Sequence, residues 1–144
     1  MDEKSELEEI ADAVVDFLHR EGSIGMIVKI NEENGNIFTE LDDKLHVSRN
    51  TLSDRIDEAI NLDIIKEISD PSDHGNAIRY TLTHRGEKIQ YYFDEHHMEE
   101  LYDDLHRAKR EMKRGIEFVE EVYEPQYYDR EFFESMQEEE SDNE

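Results

Sequence analysis

Residues 40–65, ELDDKLHVSRNTLSDRIDEAINLDII, constrain the fold more than any other segment. Their second half carries apolar residues on one face of a predicted helix, at Leu52, Ile56, Ala59 and Ile60. Ser48 lies just before this helix, where its hydroxyl can accept a backbone N–H that would otherwise have no partner. Leu41 and Leu45 predict a shorter helix upstream, and residues 46–47 form the turn. The segment thus predicts two helices joined by a tight turn.

An extended region follows the second helix. Ile64, Ile65 and Lys66 begin it, a polar turn comes next, and residues 78–82 (IRYTL) return with strict apolar–polar alternation, which is typical of a strand. Upstream, residues 23–31 are interpreted as a further helix, although their β-branched side chains leave a strand as the alternative. This order of elements predicts a mainly α-helical fold with a small β-wing, the winged helix-turn-helix.

The charge of the chain is extreme. With 16 Lys and Arg against 40 Asp and Glu, the net charge is −24 over 144 residues. High net charge with low hydrophobicity is the usual signature of disorder, but the periodic segments favour a folded protein with an acidic surface. Such a surface suits high salt, where the Debye length falls to about 3 Å at 1 M and repulsion between carboxylates is screened. We therefore expect a halophilic protein.

Several classes of function have no support in the sequence. The absence of cysteine excludes disulfides and thiolate chemistry. No apolar run approaches the roughly 18 residues of a membrane span, and the acidic N-terminus is unlike a targeting peptide. No nucleotide-binding, hydrolase or metalloprotease motif is present. The expectation is a cytoplasmic protein that is not an enzyme and has no membrane segment.

A metal site is a weaker alternative. His96, Glu100, Asp103 and His106 would share one face if they lay on one continuous helix, and imidazole and carboxylate groups are suitable ligands. Clusters of this kind also arise by chance in so acidic a chain. No bound metal is therefore expected.

Two flanking helical regions are predicted to make dimer contacts. Residues 5–21 form an amphipathic helix with Ser5 as N-cap, and a long helical region starting after residue 86 is stopped by Pro125. Apolar residues at heptad spacing on the long helix predict a helix–helix seam, with packing on its own domain as the alternative. The residues proposed for dimerisation are Leu7, Ile10, Val14, Phe17, Leu101, Leu105, Met112 and Val119.

A helix-turn-helix places the start of its second helix in the major groove of DNA. The residues predicted to read base edges are Arg49, Asn50, Thr51 and Ser53. Arginine suits guanine and asparagine suits adenine. Arg55 and Arg79 are predicted to hold the DNA backbone, with a cross-strand salt bridge to Glu67 as the alternative for Arg79. Ser48, and His74 at the tip of the wing, complete the predicted DNA-binding set.

The acidity of the chain complicates DNA binding. Asp54 and Asp57 lie on the predicted reading helix and repel phosphate, although most of the negative charge lies outside residues 45–90. Affinity for DNA normally comes from cationic side chains that displace phosphate counterions. We therefore expect a shallow or inverted salt dependence, with inorganic cations such as K⁺ at the interface and no other cofactor. The alternative is an acidic protein–protein interaction module that has the winged-helix shape but does not bind DNA.

The residues VSRNTLSDRIDEAINLDIIKE, followed by RYTLTHRGEKI, resemble winged-helix transcription regulators of the HxlR, PadR and MarR groups. The resemblance covers residues 24–90 and includes the pattern Tyr80, Leu82, Thr83 and Gly86. It implies a homodimer, formed by terminal helices, that binds double-stranded palindromic promoter DNA. HxlR-type proteins often sense through cysteine, which this chain lacks, and Asp63 stands where the pattern usually has glycine. The acidity resembles that of haloarchaeal members.

Four segments are predicted on this basis. Residues 1–22 form the N-terminal dimerisation helix, and residues 23–90 the winged helix-turn-helix DNA-binding domain. Residues 91–124 form the long dimerisation helix, and residues 125–144 a short aromatic helix with a disordered acidic tail.

Overall fold

A computed structural model of the protein describes residues 3–69, 77–125 and 127–142. Seven helices and three strands lie in these residues: α1 Glu3–Leu18, α2 Ser23–Lys29, β1 Asn36–Ile37, α3 Phe38–Lys44, α4 Arg49–Asn61, β2 Ile65–Ser69, β3 Ile78–Leu82, α5 His84–Glu95, α6 Met98–Val122 and α7 Tyr127–Asp142. This architecture confirms a mainly α-helical winged helix-turn-helix. None of the described helices combines the length and apolar character that a membrane span requires.

The described residues form two compact units, one ending at His106 and the other beginning at Arg107. The core of the first unit is a single apolar cluster: Phe17, Met26, Ile27, Ile30, Leu41, Leu45, Leu52, Ile56, Ala59, Ile64, Ile65, Leu82 and Tyr102. The predicted inner face of α4 is confirmed, because Leu52, Ile56 and Ala59 are buried. Tyr102 on α6 also packs into this core.

The sheet contains one more strand than the sequence predicted. The strand order is β1-β3-β2 and both pairings are antiparallel, with Ile65 opposite Leu82 and Asn36 opposite Tyr80. β1 has only two residues, too few to show alternation, and its surroundings look like a turn. Buried Asn36 stabilises that turn, because its side-chain oxygen accepts the Asn31 N–H at 2.8 Å.

The prediction of one long helix up to Pro125 is wrong in one respect, because this part of the chain forms two helices, α5 and α6. His97 adopts a left-handed conformation with φ 56°, which histidine tolerates better than most residues. The N–H groups of His96 and His97 bond to carbonyls of the last turn of α5, at 3.1 and 3.2 Å. No glycine or proline marks this break, so helical periodicity alone did not reveal it.

Both ends of the chain differ from expectation. α1 begins at Glu3, so Ser5 lies inside the helix and is not its N-cap. Phe17, predicted as a dimer contact, is only 1% exposed and belongs to the core of its own unit. The acidic tail was expected to be disordered from residue 138, but α7 continues to Asp142. The run of acidic side chains did not prevent helix formation, since glutamate is a good helix former.

The link between α4 and β2 contains the one position where the sequence departs from the glycine of the winged-helix pattern. Asp63 has φ 58°, a left-handed conformation that costs a residue with a Cβ about 1–2 kcal/mol. The link is held in this shape by Thr83, whose hydroxyl donates to the Asp63 carbonyl at 2.6 Å. A glycine here would adopt the same conformation without that cost.

We therefore expect Asp63→Gly to raise the free energy of unfolding by about 0.5–1 kcal/mol, after allowing for the greater freedom of glycine in the unfolded chain. Urea unfolding of both proteins checks this. Asp63→Ala is the matched control, because it removes the same charge but keeps the Cβ. If the alanine variant gained as much stability, removal of the charge rather than relief of strain would be the cause.

Candidate nucleic-acid interface

The start of α4 is defined by two hydroxyl groups. The Ser48 side chain accepts the Thr51 N–H at 3.1 Å and donates to the Thr51 hydroxyl at 2.9 Å. The predicted N-cap is thus confirmed. Thr51 is half-buried, and its hydroxyl is engaged with Ser48 rather than pointing freely into solvent. These two residues set where α4 begins.

Arg49 is the exposed cation at this helix start. Its side chain is 68% exposed, and its Nε lies 3.3 Å from the Asp42 carboxylate of α3. The guanidinium also lies over the Phe38 ring, 5.7 Å from the centroid, at the distance of a cation–π contact. α3 therefore orients Arg49 from two sides, while the planar donor group remains accessible to a ligand.

The outer face of α4 beyond Arg49 mixes neutral and acidic groups. Asn50 and Ser53 are exposed, and their side chains make no hydrogen bond to any described residue. Asp54 and Asp57 are exposed on the same helix. The geometry therefore offers hydrogen-bonding groups at the N-terminal end of the helix, next to carboxylates that repel a polyanion.

Arg55, which was predicted to hold the DNA backbone, makes its contacts within the fold. Its Nε donates to the Glu21 carbonyl at 2.9 Å, and its NH1 contacts both Glu58 oxygens at 2.8 Å. Glu58 also binds Arg20 at 2.7 Å. The Arg55 side chain is largely buried, at 16% exposure. These contacts join α4 to the segment after α1, and they account for Arg55 as a structural residue rather than a phosphate ligand.

Partial burial tends to raise the pKa of Glu58, but hydrogen bonds and charge from Arg20 and Arg55 outweigh it. The pKa of Glu58 is therefore held below its ordinary value of 4.5. A carboxyl whose pKa is lowered by folding stabilises the protein above its unfolded pKa, and this contribution disappears as the pH falls through the folded pKa.

Glu58→Gln is accordingly expected to lower the free energy of unfolding at pH 7 by about 0.5–1.5 kcal/mol, a range discounted for solvent screening. The difference from the parent should shrink as the pH falls below 4.5. Urea unfolding of both proteins, at pH 7 and again below pH 4.5, measures this difference. Asp57→Asn is the control, because exposed Asp57 has no ion-pair partner among the described residues. A deficit of the Gln variant that persisted at low pH would contradict this account.

Arg79 of the wing is half-buried, and its guanidinium lies 3.6 Å from Glu40. Glu40 also accepts the Ile37 N–H at 3.0 Å. The alternative partner expected from the sequence, Glu67, instead lies opposite Tyr80 in the sheet.

Burial raises the pKa of Tyr80, and the charges of Glu67 and Asp57 add to the effect. His74, predicted at the wing tip, lies outside the described residues.

Tyr102 is a residue that the sequence did not single out. It is buried against Gly25, and its hydroxyl accepts the His46 N–H in the turn between α3 and α4 at 3.3 Å. Burial raises its pKa. The His106 ring contacts both Tyr102 and His46, with centroids 4.4 Å from each; it meets Tyr102 edge-on and is tilted against His46. α6 therefore holds the helix-turn-helix turn directly, and no periodicity in the sequence indicated this contact.

The metal alternative depended on one continuous helix. Because the break at His97 separates His96 from His106, these residues do not share a helix face. Asp103 instead pairs with Lys29 at 2.8 Å. Among the described residues, no group of three or more acidic or histidine side chains is arranged to hold a metal ion.

No protein-family model and no curated protein matches the sequence. The fold, however, is similar to solved structures. A possible HxlR family transcriptional factor from Thermoplasma volcanium GSS1 has a TM-score of 0.51 at 20% identity, covering 65% of this chain and 82% of that one. The transcriptional regulator SlyA gives 0.50 at 21% identity, with 83% and 99% covered. Reduced HlyU from Vibrio cholerae N16961 gives 0.52 at 14% identity, with 65% and 94% covered. At these identities the likeness establishes the winged-helix fold.

Proposed function

We propose that the protein is a homodimeric, sequence-specific DNA-binding transcription regulator adapted to high salt and located in the cytoplasm. The observation that carries the proposal is the start of α4. There α3 contacts Arg49, which remains 68% exposed, and the neighbouring Asn50 is exposed without a partner among the described residues. In a helix-turn-helix this is the end of the second helix that reaches base edges.

The roles of the interface residues follow from this placement. Arg49 and Asn50 are suited to bidentate contacts with guanine and adenine, and Ser53 can bond to either. Ser48 and Thr51 position the helix. Arg79 supports the wing, which would lie on the minor groove or backbone.

The homodimer is supported by apolar surface outside the core. Leu7 is 66% exposed on α1, and the predicted seam residues Leu101, Leu105, Met112 and Val119 are each more than half exposed on α6. Burying such surface against a partner is favourable by about 25 cal/mol per Å². Of the predicted dimer contacts on α1, Leu7 and Ile10 are exposed and can contact a partner subunit, whereas Val14 packs against the core of its own chain. A two-fold dimer would present two α4 helices to a palindromic site.

Salt dependence tests this proposal. A conventional binder with six to ten phosphate contacts loses about 10³–10⁵ in affinity between 50 and 200 mM salt. Asp54 and Asp57 require screening or bound cations such as K⁺ at the interface, so we expect affinity to change by less than about tenfold between 0.1 and 1 M KCl. Footprinting on the DNA upstream of the protein's own coding sequence, at several KCl concentrations, measures this. A steep loss of protection with rising salt would refute the adaptation to high salt.

The second candidate function is an acidic protein–protein interaction module. The observation that favours it is the pair of exposed carboxylates, Asp54 and Asp57, on the helix that would otherwise read DNA. Selection from a random DNA library at molar KCl separates the two functions. Enrichment of a defined sequence supports the regulator, whereas no enrichment supports the protein-binding module.

A further inference from the structure

The second half of α6 carries an uncovered apolar stripe. Met112, Ile116, Val119 and Val122 are each more than half exposed. At about 100° per residue they fall on one side of the helix, together with Gly115. Apart from its chain neighbours and the nearby backbone of its own helix, no atom in the part of the chain that the structure describes lies within 4 Å of the position that a Gly115 Cβ would occupy.

The charges along this half of the helix are separated into two blocks. Residues 107–114 contain five Lys and Arg and one Glu, whereas residues 117–124 contain four Glu and no cation. The midpoint between the blocks falls at Gly115 and Ile116. A second copy running in the opposite direction would therefore place its acidic block beside the basic block of the first.

We propose that residues 107–124 of α6 pair antiparallel with the same residues of a second copy of this chain, with the two-fold axis beside Gly115 and Ile116. This rests on the proposed homodimer and specifies the direction, register and ion pairs of residues 107–124; Leu101 and Leu105 lie outside this pairing. Met112 then lies level with Val119 of the second copy, so the apolar stripes coincide along the pairing. Gly115 faces Ile116 of the second copy, where the lack of a side chain allows the helices to approach closely.

The flank of the stripe provides the ion pairs. Lys109, Lys113 and Glu120 lie on the same side of the helix, and no ion-pair partner for them occurs among the described residues. In the antiparallel arrangement, Glu120 of the second copy comes level with the gap between Lys109 and Lys113. A parallel arrangement in register would instead place each of these charged residues beside the same residue of the second copy, so that like charges would face each other. A two-fold axis within the basic block would bring cations together.

Cross-linking of single-cysteine variants tests the direction. Because the chain has no native cysteine, each introduced thiol is unique. Ile116→Cys in the full chain is expected to form a covalent dimer with a short bis-maleimide. Leu105→Cys is the control, because in the proposed register the two thiols would be about 30 Å apart along the helix axis at 1.5 Å per residue. In a parallel dimer they would be adjacent.

The outcomes separate this inference from the proposed function. Cross-linking at Ile116→Cys but not at Leu105→Cys supports the antiparallel pairing, whereas equal cross-linking at both positions overturns it. If neither variant cross-links while light scattering shows a dimer, the pairing is wrong and the homodimer stands. A monomer by light scattering overturns both the pairing and the homodimer.

Charge reversal tests the ion pairs. Lys109→Glu is expected to weaken dimerisation by about tenfold at moderate salt, because it creates repulsion with Glu120 of the second copy. Adding Glu120→Lys should restore the affinity. Arg110→Glu, which makes the same charge change on the opposite side of the helix, is the matched control. Equal weakening by Lys109→Glu and Arg110→Glu, without rescue by Glu120→Lys, would overturn the proposed register.

Discussion

Replacing Arg49 and Asn50 together by alanine is expected to abolish specific DNA binding while leaving the fold intact. Each bidentate contact to a base contributes about 1–3 kcal/mol to discrimination, so the double variant should lose about 2–6 kcal/mol for its cognate site. Both side chains are exposed. The loss of the Arg49–Asp42 ion pair should cost less than about 1 kcal/mol of stability.

The measurement compares binding of the parent and the double variant to the selected site and to unrelated DNA. Asn61→Ala is the matched control, because Asn61 is exposed at the opposite end of α4, away from the bases. It should bind the site as the parent does. If the double variant protected the same DNA as the parent, Arg49 and Asn50 would not be the reading residues, although the protein would still be a DNA-binding one.

Gly86→Ala is expected to reduce stability by about 3 kcal/mol, near the upper end of the usual cost of overpacking. A Cβ at this position would overlap the Ile64 carbonyl oxygen and press on Leu82. The Gly86 N–H also bonds to the Thr83 hydroxyl at 3.1 Å. That hydroxyl holds the link between α4 and β2 as well. Relief of the overlap would therefore move α5 away from the helix-turn-helix.

Denaturant unfolding of parent and variant measures this effect. Lys88→Ala, two residues later on the same helix, is the control, because Lys88 is exposed and its replacement should change stability by less than about 0.5 kcal/mol. A Gly86→Ala variant as stable as the control would show that α5 can shift without cost. The glycine of the winged-helix pattern would then need another explanation.

The placement of the proposed interface residues was only partly predictable from residues considered singly. That Arg49 and Asn50 lie exposed at the start of α4 could be predicted, because Ser48 marks the start of that helix and the apolar residues mark its inner face. The roles of Arg55 and Arg79 could not be assigned in this way. Arg55 donates to the Glu21 carbonyl as well as to Glu58 on its own helix, and Arg79 lies near Glu40 of α3. A charged residue on a helix or strand looks the same in sequence whether it faces DNA or a neighbouring carboxylate.

The sequence by itself determined the elements that depend on local interactions. The inner face of α4, its Ser48 cap and the strand β3 all arise from residues within a few positions of one another. The tertiary structure alone decided the features that depend on distant contacts. These are the pairing of β1 with β3, the burial of Phe17 and the contact of Tyr102 with the turn before α4. Each is set by a partner far away in the chain, so local periodicity carried no signal for it.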